Sequence, residues 1–346
     1  MNLLALSDTF IPSDFMRAGL APLAELGIKM EVRHWAHPTL ADLQRDNAAI
    51  EKGGSEAVVL PAELRENLAD FEMVITQFAP LSPQFQEQAR RLKVIGVLRT
   101  GLENVDLACA TRRGITVLNT PGRLSRAVAE CTVGLILTEI RNLARAHARL
   151  MQGRWEKVFP NSDDIPELYR RTIGLVGFGA VGQMVAAQLQ GFGCRVLAFD
   201  PYFRGDSSPV RLVDLPTLLR EADVVSLHAR LTEETRHLIG AEELALMKRT
   251  AILVNTARSG LVDETALAQA LAERRIMGAA LDVFDVEPLP PGHAFLRLDN
   301  VTLTSHLAGS TRDGFRNSPA LMAGFLTRLL QGQEPVPIVN GVPYST

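Results

Sequence analysis

The sequence contains few cysteines, and their spacing excludes two kinds of cysteine-based architecture. Three are present, Cys109, Cys131 and Cys194, and no two of them form a C-x-x-C pair. An odd number of widely separated thiols provides neither a disulfide framework nor a zinc site. This usage is typical of a reducing compartment, so we expect a cytoplasmic protein without a bound metal.

An excess of one charge sign is also missing. The chain carries 36 Lys and Arg against 39 Asp and Glu, a formal net charge of −3. Proteins that bind nucleic acid or anionic membrane surfaces usually concentrate positive charge. We therefore expect no nucleic-acid partner and no membrane partner, and a small molecule as the ligand.

Long apolar runs are absent as well. No stretch approaches the roughly 20 apolar residues that a membrane-spanning helix needs. The first residues are apolar, but they lack a basic segment and Asp8 interrupts them, so they predict a β-strand rather than a signal peptide. With 47% hydrophobic and 22% charged residues in 346, the chain is long enough for about two globular domains.

Short apolar runs alternate with longer helical patterns along most of the chain. This alternation predicts an α/β fold with mostly parallel sheets. Residues 125–150 carry apolar side chains at helical spacing and predict one long helix. The predicted strands lie at residues 3–6, 29–33, 58–60, 73–76, 94–98, 172–176, 196–199, 224–227, 251–254, 279–283 and 301–304.

A G-x-G-x-x-G motif, formed by Gly177, Gly179 and Gly182, directly follows one predicted strand and opens a predicted helix. In this context the first glycine allows a tight turn, and the second lets the backbone approach a diphosphate. The third lets the helix pack closely against the strand. The N–H groups of Ala180 and Val181 at the helix start would face the phosphates. The pattern predicts a dinucleotide-binding turn; the alternative is a structural glycine turn in an unrelated α/β protein.

The strand after this helix ends at Asp200, 18 residues beyond Gly182. A carboxylate at this position can accept hydrogen bonds from both hydroxyls of an adenosine ribose, and it would repel a 2′-phosphate. We therefore expect NAD as the cofactor in preference to NADP. Arg204 lies four residues after Asp200, and its positive charge leaves NADP as the alternative cofactor.

Three later predicted strands are each followed by a side chain that suits hydride-transfer chemistry: Arg258, Glu287 and His306. Arginine offers a cationic fork for a carboxylate or a carbonyl oxygen, and histidine transfers protons near neutral pH. A neighbouring glutamate favours the imidazolium form and orients the ring. Ligands of open α/β sheets gather at the carboxyl ends of strands, so we expect the three in one crevice. If Arg258, Glu287 and His306 each had a separate structural role, their occurrence after three predicted strands would be unexplained.

From about residue 94 to about residue 315, the sequence resembles the D-isomer-specific 2-hydroxyacid dehydrogenases. The resemblance rests on the glycine motif, on N-T-A-R at 255–258, on residues 278–284 with Glu287, and on His306 with Gly309. It implies a reversible, NAD-linked interconversion of a D-2-hydroxy acid and a 2-keto acid.

The resemblance also implies the architecture. We expect two doubly wound parallel-sheet domains, with a Rossmann-type cofactor domain at residues 104–307. This domain is inserted into a flavodoxin-like substrate domain made of residues 1–103 and 308–346. The counterpart of residues 125–150 helps to form a homodimer in the family, so a homodimer is expected here.

Site residues follow by the same resemblance. Arg258 anchors the substrate carboxylate and keto oxygen, His306 is the acid and base, and Glu287 pairs with His306. The implied cofactor residues are Gly177, Gly179, Ala180, Val181, Gly182, Asp200, Ala229, Thr256, Ala257 and Asp282. The implied substrate loop consists of Leu98, Arg99, Thr100 and Gly101.

Within the family the sequence looks most like phosphoglycerate and related hydroxyacid dehydrogenases, with departures that bear on the substrate. Where phosphoglycerate dehydrogenases carry an Arg-Ser pair at a strand end, this chain has Thr76 and Gln77, so a phosphate loses a bidentate partner. Arg99 stands where the family usually has a small residue, and it either supplies a replacement charge or narrows the pocket. Formate dehydrogenases of this fold carry glutamine at the position of Glu287, which argues against formate.

A second class of function stays open from the sequence. Dehydrogenase-like folds also serve as NAD-sensing binding proteins, and an intact set of Arg258, Glu287 and His306 does not exclude that role. Consumption of NADH with 2-keto acids separates an enzyme from such a binding protein.

Overall fold

The computed structural model describes residues 1–344, which form two compact units. The first, here the terminal unit, comprises Met1–Arg123 and the segment that begins at Thr311. The second, here the inserted unit, comprises Leu124–Ser310. Among the described residues, no helix has the length and apolar character needed to cross a membrane.

The terminal unit is built on a five-stranded parallel sheet. Its strands are β1 (Asn2–Ser7), β2 (Lys29–His34), β3 (Met73–Thr76), β4 (Val94–Val97) and β5 (Thr116–Asn119). They lie in the order β2-β1-β3-β4-β5, which is a doubly wound, flavodoxin-like order whose switch point falls between β1 and β3. Successive β1 residues pack on opposite faces: Leu3 and Ala5 join one buried cluster, while Leu4 and Leu6 join the other.

The inserted unit contains a seven-stranded parallel sheet. Its strands are β6 (Thr172–Val176), β7 (Arg195–Phe199), β8 (Arg211–Leu212), β9 (Val224–Leu227), β10 (Ile252–Asn255), β11 (Gly278–Leu281) and β12 (Val301–Leu303). The order β12-β11-β10-β9-β6-β7-β8 places the switch point between β6 and β9, as in dinucleotide-binding sheets. Both faces are covered by buried apolar clusters. The expected pair of doubly wound parallel sheets is confirmed.

Eleven α-helices lie within residues 1–344. They are α1 (Ser13–Leu20), α2 (Leu40–Gly53), α3 (Pro83–Gln88), α4 (Leu107–Arg112), α5 (Ser125–Ile140), α6 (Leu143–Met151), α7 (Ala180–Gln190), α8 (Leu215–Glu221), α9 (Ala241–Leu246), α10 (Glu264–Ala272) and α11 (Arg312–Leu330). Side chains that accept a first-turn N–H fix the start of α2, α3, α4, α8, α10 and α11, which satisfies donors that the helix leaves free.

The unit boundaries differ from those expected from the sequence. The chain leaves the terminal unit after residue 123 and re-enters it at residue 311, whereas the sequence analysis expected boundaries at 103/104 and 307/308. The physical reason for the first difference is β5, which pairs in parallel with β4, from Val94 opposite Thr116 to Val97 opposite Asn119. This edge strand belongs to the first sheet, so the segment that carries it does too.

Two predicted elements are wrong. The predicted helix at residues 125–150 is two helices, because Asn142 adopts a left-handed conformation with φ of 57°, one that asparagine tolerates better than most residues. No strand forms at residues 58–60: Val59 is 73% exposed, and Pro61, which follows Leu60, has no N–H to donate to a ladder.

Candidate active site

The glycine motif forms the turn between β6 and α7. Gly177 has φ of +98°, and a Cβ added there would lie 2.5 Å from the backbone nitrogen of Ala229. A Cβ added to Gly182 would meet the carbonyl oxygen of Gly177. A Cβ on Gly179 would meet nothing within 4 Å. The first and third glycines are therefore required by close packing, whereas the second leaves an open approach to the backbone.

The start of α7 is suited to an anion. Its N-cap is Gly179, which has no side chain to cap the helix. Within residues 1–344, no group accepts a hydrogen bond from the N–H of Ala180 or Val181. Free N–H groups and the positive end of the helix dipole bind phosphates at such positions. The turn thus fits the diphosphate of a dinucleotide.

Asp200 follows β7 beside this turn and is half-buried. One carboxylate oxygen accepts the N–H of Phe178 at 2.8 Å, and the other accepts those of Tyr202 at 2.9 Å and Phe203 at 3.1 Å. The side chain therefore fixes the glycine turn. A carboxylate has about four lone-pair sites in total, so it retains acceptor capacity for a ribose hydroxyl.

His228 and Ala229 follow β9 on the other side of the switch point. The imidazole Nε2 of His228 lies 3.0 Å from the hydroxyl of Ser226. Burial lowers the pKa of His228 to about 4, so this imidazole is neutral near pH 7 and packs as a wall of the turn. Ala229 is half-buried, and its backbone nitrogen faces Gly177.

Arg258 lies in the loop after β10 and is exposed. The side chain of Asn255 shapes this loop: its amide donates to the carbonyl of Arg258 at 2.9 Å, and its oxygen accepts the N–H of Ala257 at 3.0 Å. The guanidinium donates to the carbonyl of Ala257 at 2.7 Å. Thr256 is buried, with its hydroxyl 2.7 Å from that of Thr132 on α5.

His306 and Glu287 form the central pair of the site. Nδ1 of His306 lies 2.8 Å from Oε2 of Glu287, with the side chains 50% and 36% exposed. The other oxygen of Glu287 accepts the N–H of Phe284 at 3.0 Å. The pairing with Nδ1 leaves Nε2 as the ring atom available to a ligand.

The backbone that carries His306 is held by Asp282. His306 has φ of 52°, a conformation that is uncommon outside glycine. Asp282, fully buried at the end of β11, accepts the N–H groups of Leu307 at 2.9 Å and Ala308 at 2.8 Å. It also accepts the hydroxyl of Thr304 at 2.5 Å. The sequence analysis placed Asp282 inside the predicted strand 279–283 and gave it only as a cofactor residue implied by the resemblance, so it did not identify these hydrogen bonds.

Arg258, Asp282 and His306 share one edge of the sheet. They follow β10, β11 and β12, which are parallel neighbours, so their carboxyl ends meet at the same edge. His306 and Glu287 are in direct contact. In the part of the chain that the structure describes, Arg258 forms no hydrogen bond or ion pair with either of them.

The expected substrate loop lies in the terminal unit, after β4. Leu98 is buried and donates its N–H to the carbonyl of Thr76 at 2.7 Å. Arg99 lies over the ring of Phe78 at 3.9 Å. The carbonyl of Thr100 accepts the amide of Asn119 at 2.9 Å. A Cβ added to Gly101 would meet the carboxylate of Glu103 and the guanidinium of Arg99.

Within residues 1–344, no cluster of His, Cys, Asp or Glu side chains could hold a metal ion.

The sequence is similar to a known protein family and to several named proteins. Residues 133–308 match the model of the NAD binding domain of D-isomer specific 2-hydroxyacid dehydrogenases. The chain is 42% identical over 284 residues to a glyoxylate reductase of Thermofilum pendens, covering 80% of this chain and 84% of that protein. It is 40% identical over 284 residues to a D-3-phosphoglycerate dehydrogenase of Methanocaldococcus jannaschii, covering 80% of this chain and 53% of that enzyme.

The fold is similar to that of a solved D-lactate dehydrogenase with NAD+ from Lactobacillus jensenii. The two share 27% sequence identity with a TM-score of 0.76, and the match covers 98% of this chain and 99% of that one.

Proposed function

The chain belongs to the D-isomer-specific 2-hydroxyacid dehydrogenases, and on this premise we propose that Arg258, Glu287 and His306 are its catalytic residues. Members of this family are NAD-dependent oxidoreductases that interconvert a D-2-hydroxy acid and a 2-keto acid, and this protein is one of them. The matched domain, residues 133–308, lies within the inserted unit. We therefore propose that NAD binds to the inserted unit.

The glycine turn and its surroundings would hold NAD. Backbone N–H groups of Ala180 and Val181 would bind the diphosphate between Gly177 and Gly182, with Gly179 leaving room for its approach. Asp200 would bind the adenosine ribose beside Ala229. Thr256, Ala257 and the backbone turn held by Asp282 would lie near the nicotinamide. Bound NAD supplies the hydride acceptor for oxidation, and NADH supplies the hydride donor for reduction.

Each catalytic side chain has a distinct task. The guanidinium of Arg258 would bind the substrate carboxylate through two parallel N–H bonds and polarise the C2 oxygen. Nε2 of His306 would give a proton to that oxygen during keto-acid reduction and accept it during hydroxy-acid oxidation. Glu287 would hold the orientation of the ring through its contact with Nδ1.

The observation that carries this proposal is the 2.8 Å contact between His306 and Glu287 at the same sheet edge as Arg258. The experiment is NADH consumption with glyoxylate, hydroxypyruvate, hydroxypyruvate phosphate, pyruvate and bulkier 2-keto acids. We expect turnover of at least one of these 2-keto acids, with a lower rate when NADPH replaces NADH. Tight NADH binding without consumption above background would instead identify an NAD-sensing binding protein.

We propose a homodimer formed through α5 and α6. No residue of α6 is buried, yet this helix carries Leu143, Leu150 and Met151, which are 54%, 54% and 75% exposed. Large exposed apolar patches mark interaction surfaces. Leu150→Glu is then expected to convert a dimer into a monomer of 37.8 kDa in light-scattering measurements, whereas a monomeric wild type would refute the assignment.

We also propose a cytoplasmic location, which the three free cysteines support.

A further inference from the structure

Glu264 and His293 lie beside the loop that carries Glu287. This loop, residues 285–292, follows β11 within the inserted unit and contains neither helix nor strand. Three of its residues are prolines, which have no N–H group for a backbone hydrogen bond. The loop therefore depends on neighbouring side chains for its shape, and that shape decides where the carboxylate of Glu287 lies.

The carboxylate of Glu264 contacts both ends of this loop. Its Oε1 accepts the N–H of Asp285, the first loop residue, at 2.8 Å. Its Oε2 lies 3.4 Å from Nε2 of His293, the residue directly after the loop. Within residues 1–344, no other N–H of the loop bonds to a side chain. A carboxylate accepts at both oxygens, so this one side chain serves both contacts at once.

The ring of His293 is oriented by a contact on its other side. Nδ1 accepts the N–H of Phe295 at 3.3 Å and so caps the 3₁₀ helix Ala294–Arg297. A ring nitrogen that accepts a hydrogen bond carries no proton. The proton of the neutral imidazole is therefore assigned to Nε2, the atom next to Glu264. The cap thus presents a donor to the carboxylate.

Glu264 is carried by a well-anchored helix. It is the first residue of α10, and the N-cap Asp263 fixes the start of that helix. Buried leucines of α10 belong to the same apolar cluster as Phe284 and Phe295, which lie just before and just after the loop. The loop and the carboxylate that restrains it are therefore attached to one core.

The burial of Glu264 and the order of the loop stabilise each other. Only 15% of this side chain is exposed. Burial raises the pKa of its carboxyl group, and the hydrogen bond from Asp285 opposes that shift. A partly desolvated carboxylate is costly unless its oxygens are hydrogen-bonded. The contacts with Asp285 and His293 offset this cost, and the same contacts hold the loop.

We propose that Glu264 and His293 are positioning residues, which hold the loop so that the carboxylate of Glu287 stays against Nδ1 of His306. This inference rests on the proposed function, in which that contact orients the ring. Within the described residues neither side chain touches His306 or Arg258, so both act through Glu287. Small displacements of a catalytic group lower the rate steeply, so a loosened loop should lower kcat although every catalytic side chain is present.

Glu264→Ala and Glu264→Gln test the contact with Asp285. Alanine leaves this N–H without its acceptor, whereas glutamine keeps one oxygen for it. We expect kcat for NADH oxidation with a 2-keto acid to fall about 10-fold in the alanine variant and less than about 3-fold in the glutamine variant. NADH affinity, measured by calorimetric titration, should stay within about 3-fold of the wild type in both. Wild-type kcat in Glu264→Ala would overturn the inference.

Glu242→Ala is the matched control. Glu242 is an exposed carboxylate in the first turn of α9, so its removal takes away a favourable interaction with a helix dipole and nothing else. We expect its kcat to equal that of the wild type. Equal losses in Glu242→Ala and Glu264→Ala would show a general effect of helix charge and overturn the inference.

A double variant shows whether Glu264 acts through Glu287. Once Glu287→Ala has removed the carboxylate, there is no longer a catalytic side chain for the loop to position. We therefore expect the double variant Glu264→Ala/Glu287→Ala to have a kcat within about 2-fold of Glu287→Ala alone. Losses that multiply would mean that the two residues act independently, and they would overturn the inference.

His293→Asn and His293→Ala separate the two contacts of His293. Asparagine is a good N-cap and can accept the N–H of Phe295, but its side chain is too short to reach Glu264 as well. We expect kcat to fall about 3-fold in both variants, while urea unfolds the alanine variant at the lower concentration. A kcat loss confined to the alanine variant would show that only the cap matters, and it would overturn the role of His293.

Hydrogen exchange decides the inference even if no 2-keto acid is reduced, an outcome that would refute the proposed function. Deuterium uptake is followed by mass spectrometry in the wild type and in Glu264→Ala. We expect faster uptake by the peptide that spans residues 284–293, with unchanged uptake by β11 and β12. Unchanged uptake by the loop peptide, or faster uptake throughout the inserted unit, would overturn the inference.

Discussion

Nδ1 of His306 lies 2.8 Å from Oε2 of Glu287, and this contact joins a side chain after β12 to one after β11. The second oxygen of Glu287 is occupied by the N–H of Phe284. The carboxylate is therefore fixed, and it fixes the imidazole in turn. Such base–orienter pairs are typical of acid–base catalysis.

Glu287→Gln tests the charge of this pair at nearly unchanged shape. The amide can still contact Nδ1, but it carries no charge beside the ring that transfers the proton. We expect kcat for keto-acid reduction to fall about 10- to 100-fold, while NADH affinity stays within about 3-fold of the wild type. The measurement is kcat for NADH oxidation, with calorimetric titration of NADH as the control. A variant with the wild-type kcat would contradict the proposed role of the charge.

Asp200→Asn tests cofactor selection. The amide keeps an oxygen that can accept the N–H of Phe178 or Tyr202, but it loses the charge that repels a 2′-phosphate. We expect the ratio of kcat/KM with NADH to that with NADPH to fall about 10-fold or more. Asp200→Ala, which also removes the contacts to the turn, serves as the comparison. An unchanged ratio in both variants would show that Asp200 only supports the turn.

Gly182→Ala and Gly179→Ala form a matched pair within one turn. The first places a methyl group against the carbonyl oxygen of Gly177, so we expect the free energy of unfolding to fall by about 1–3 kcal/mol. The second places a methyl group in open space, so stability should change by less than about 1 kcal/mol.

The second measurement on the Gly182→Ala and Gly179→Ala variants is their affinity for NADH. Gly179→Ala fills the approach to the diphosphate, so calorimetric titration should show a clear loss of affinity in a protein of normal stability. Normal NADH affinity in Gly179→Ala would place the diphosphate elsewhere.

Asp8→Asn tests the effect of a buried carboxyl group on stability. Burial raises the pKa of Asp8 from 3.8 to about 6, and the side chain is 1% exposed. The folded protein therefore holds this proton more tightly than the unfolded chain does. The free energy of unfolding falls as pH rises from about 4 through 6, by about 3 kcal/mol from this group.

Asparagine at position 8 removes that dependence and can still accept both N–H groups at Oδ1. We expect the variant to exceed the wild type in stability by up to about 3 kcal/mol near pH 7.5, with little difference near pH 4. Urea unfolding followed by the fluorescence of Trp35, which is buried in the terminal unit, measures this. The exposed Asp70→Asn serves as control. A difference that does not vary with pH would contradict the assignment.

Much of this site could be predicted from the sequence because its signals are local. Gly177, Gly179 and Gly182 stand between a strand and a helix, and this spacing alone defines the turn. Arg258 and His306 each follow a strand, and parallel strands bring their carboxyl ends to one edge. The sequence therefore predicts those parts of the site in which a functional side chain directly follows a strand.

The remainder depends on tertiary contacts that no local pattern encodes. The end of α5 is set by Asn142, whose amide donates to Asn161 at 2.6 Å, a partner 19 residues away in sequence. The unit boundary depends on the pairing of β5 with β4. The hydrogen bond from Arg123 to the side chain of Gln77 joins residues 46 positions apart in sequence. Such pairings become visible only once the chain has folded.

The most direct test of the catalytic proposal is His306→Ala, followed by stopped-flow absorbance of NADH with a 2-keto acid that the wild type reduces. Without the proton donor at Nε2, the rate of NADH oxidation should fall by about 100- to 10,000-fold, while NADH affinity stays within about 3-fold of the wild type. A variant that oxidises NADH at the wild-type rate would contradict the account, because the reaction would then proceed without the histidine that Glu287 holds in place.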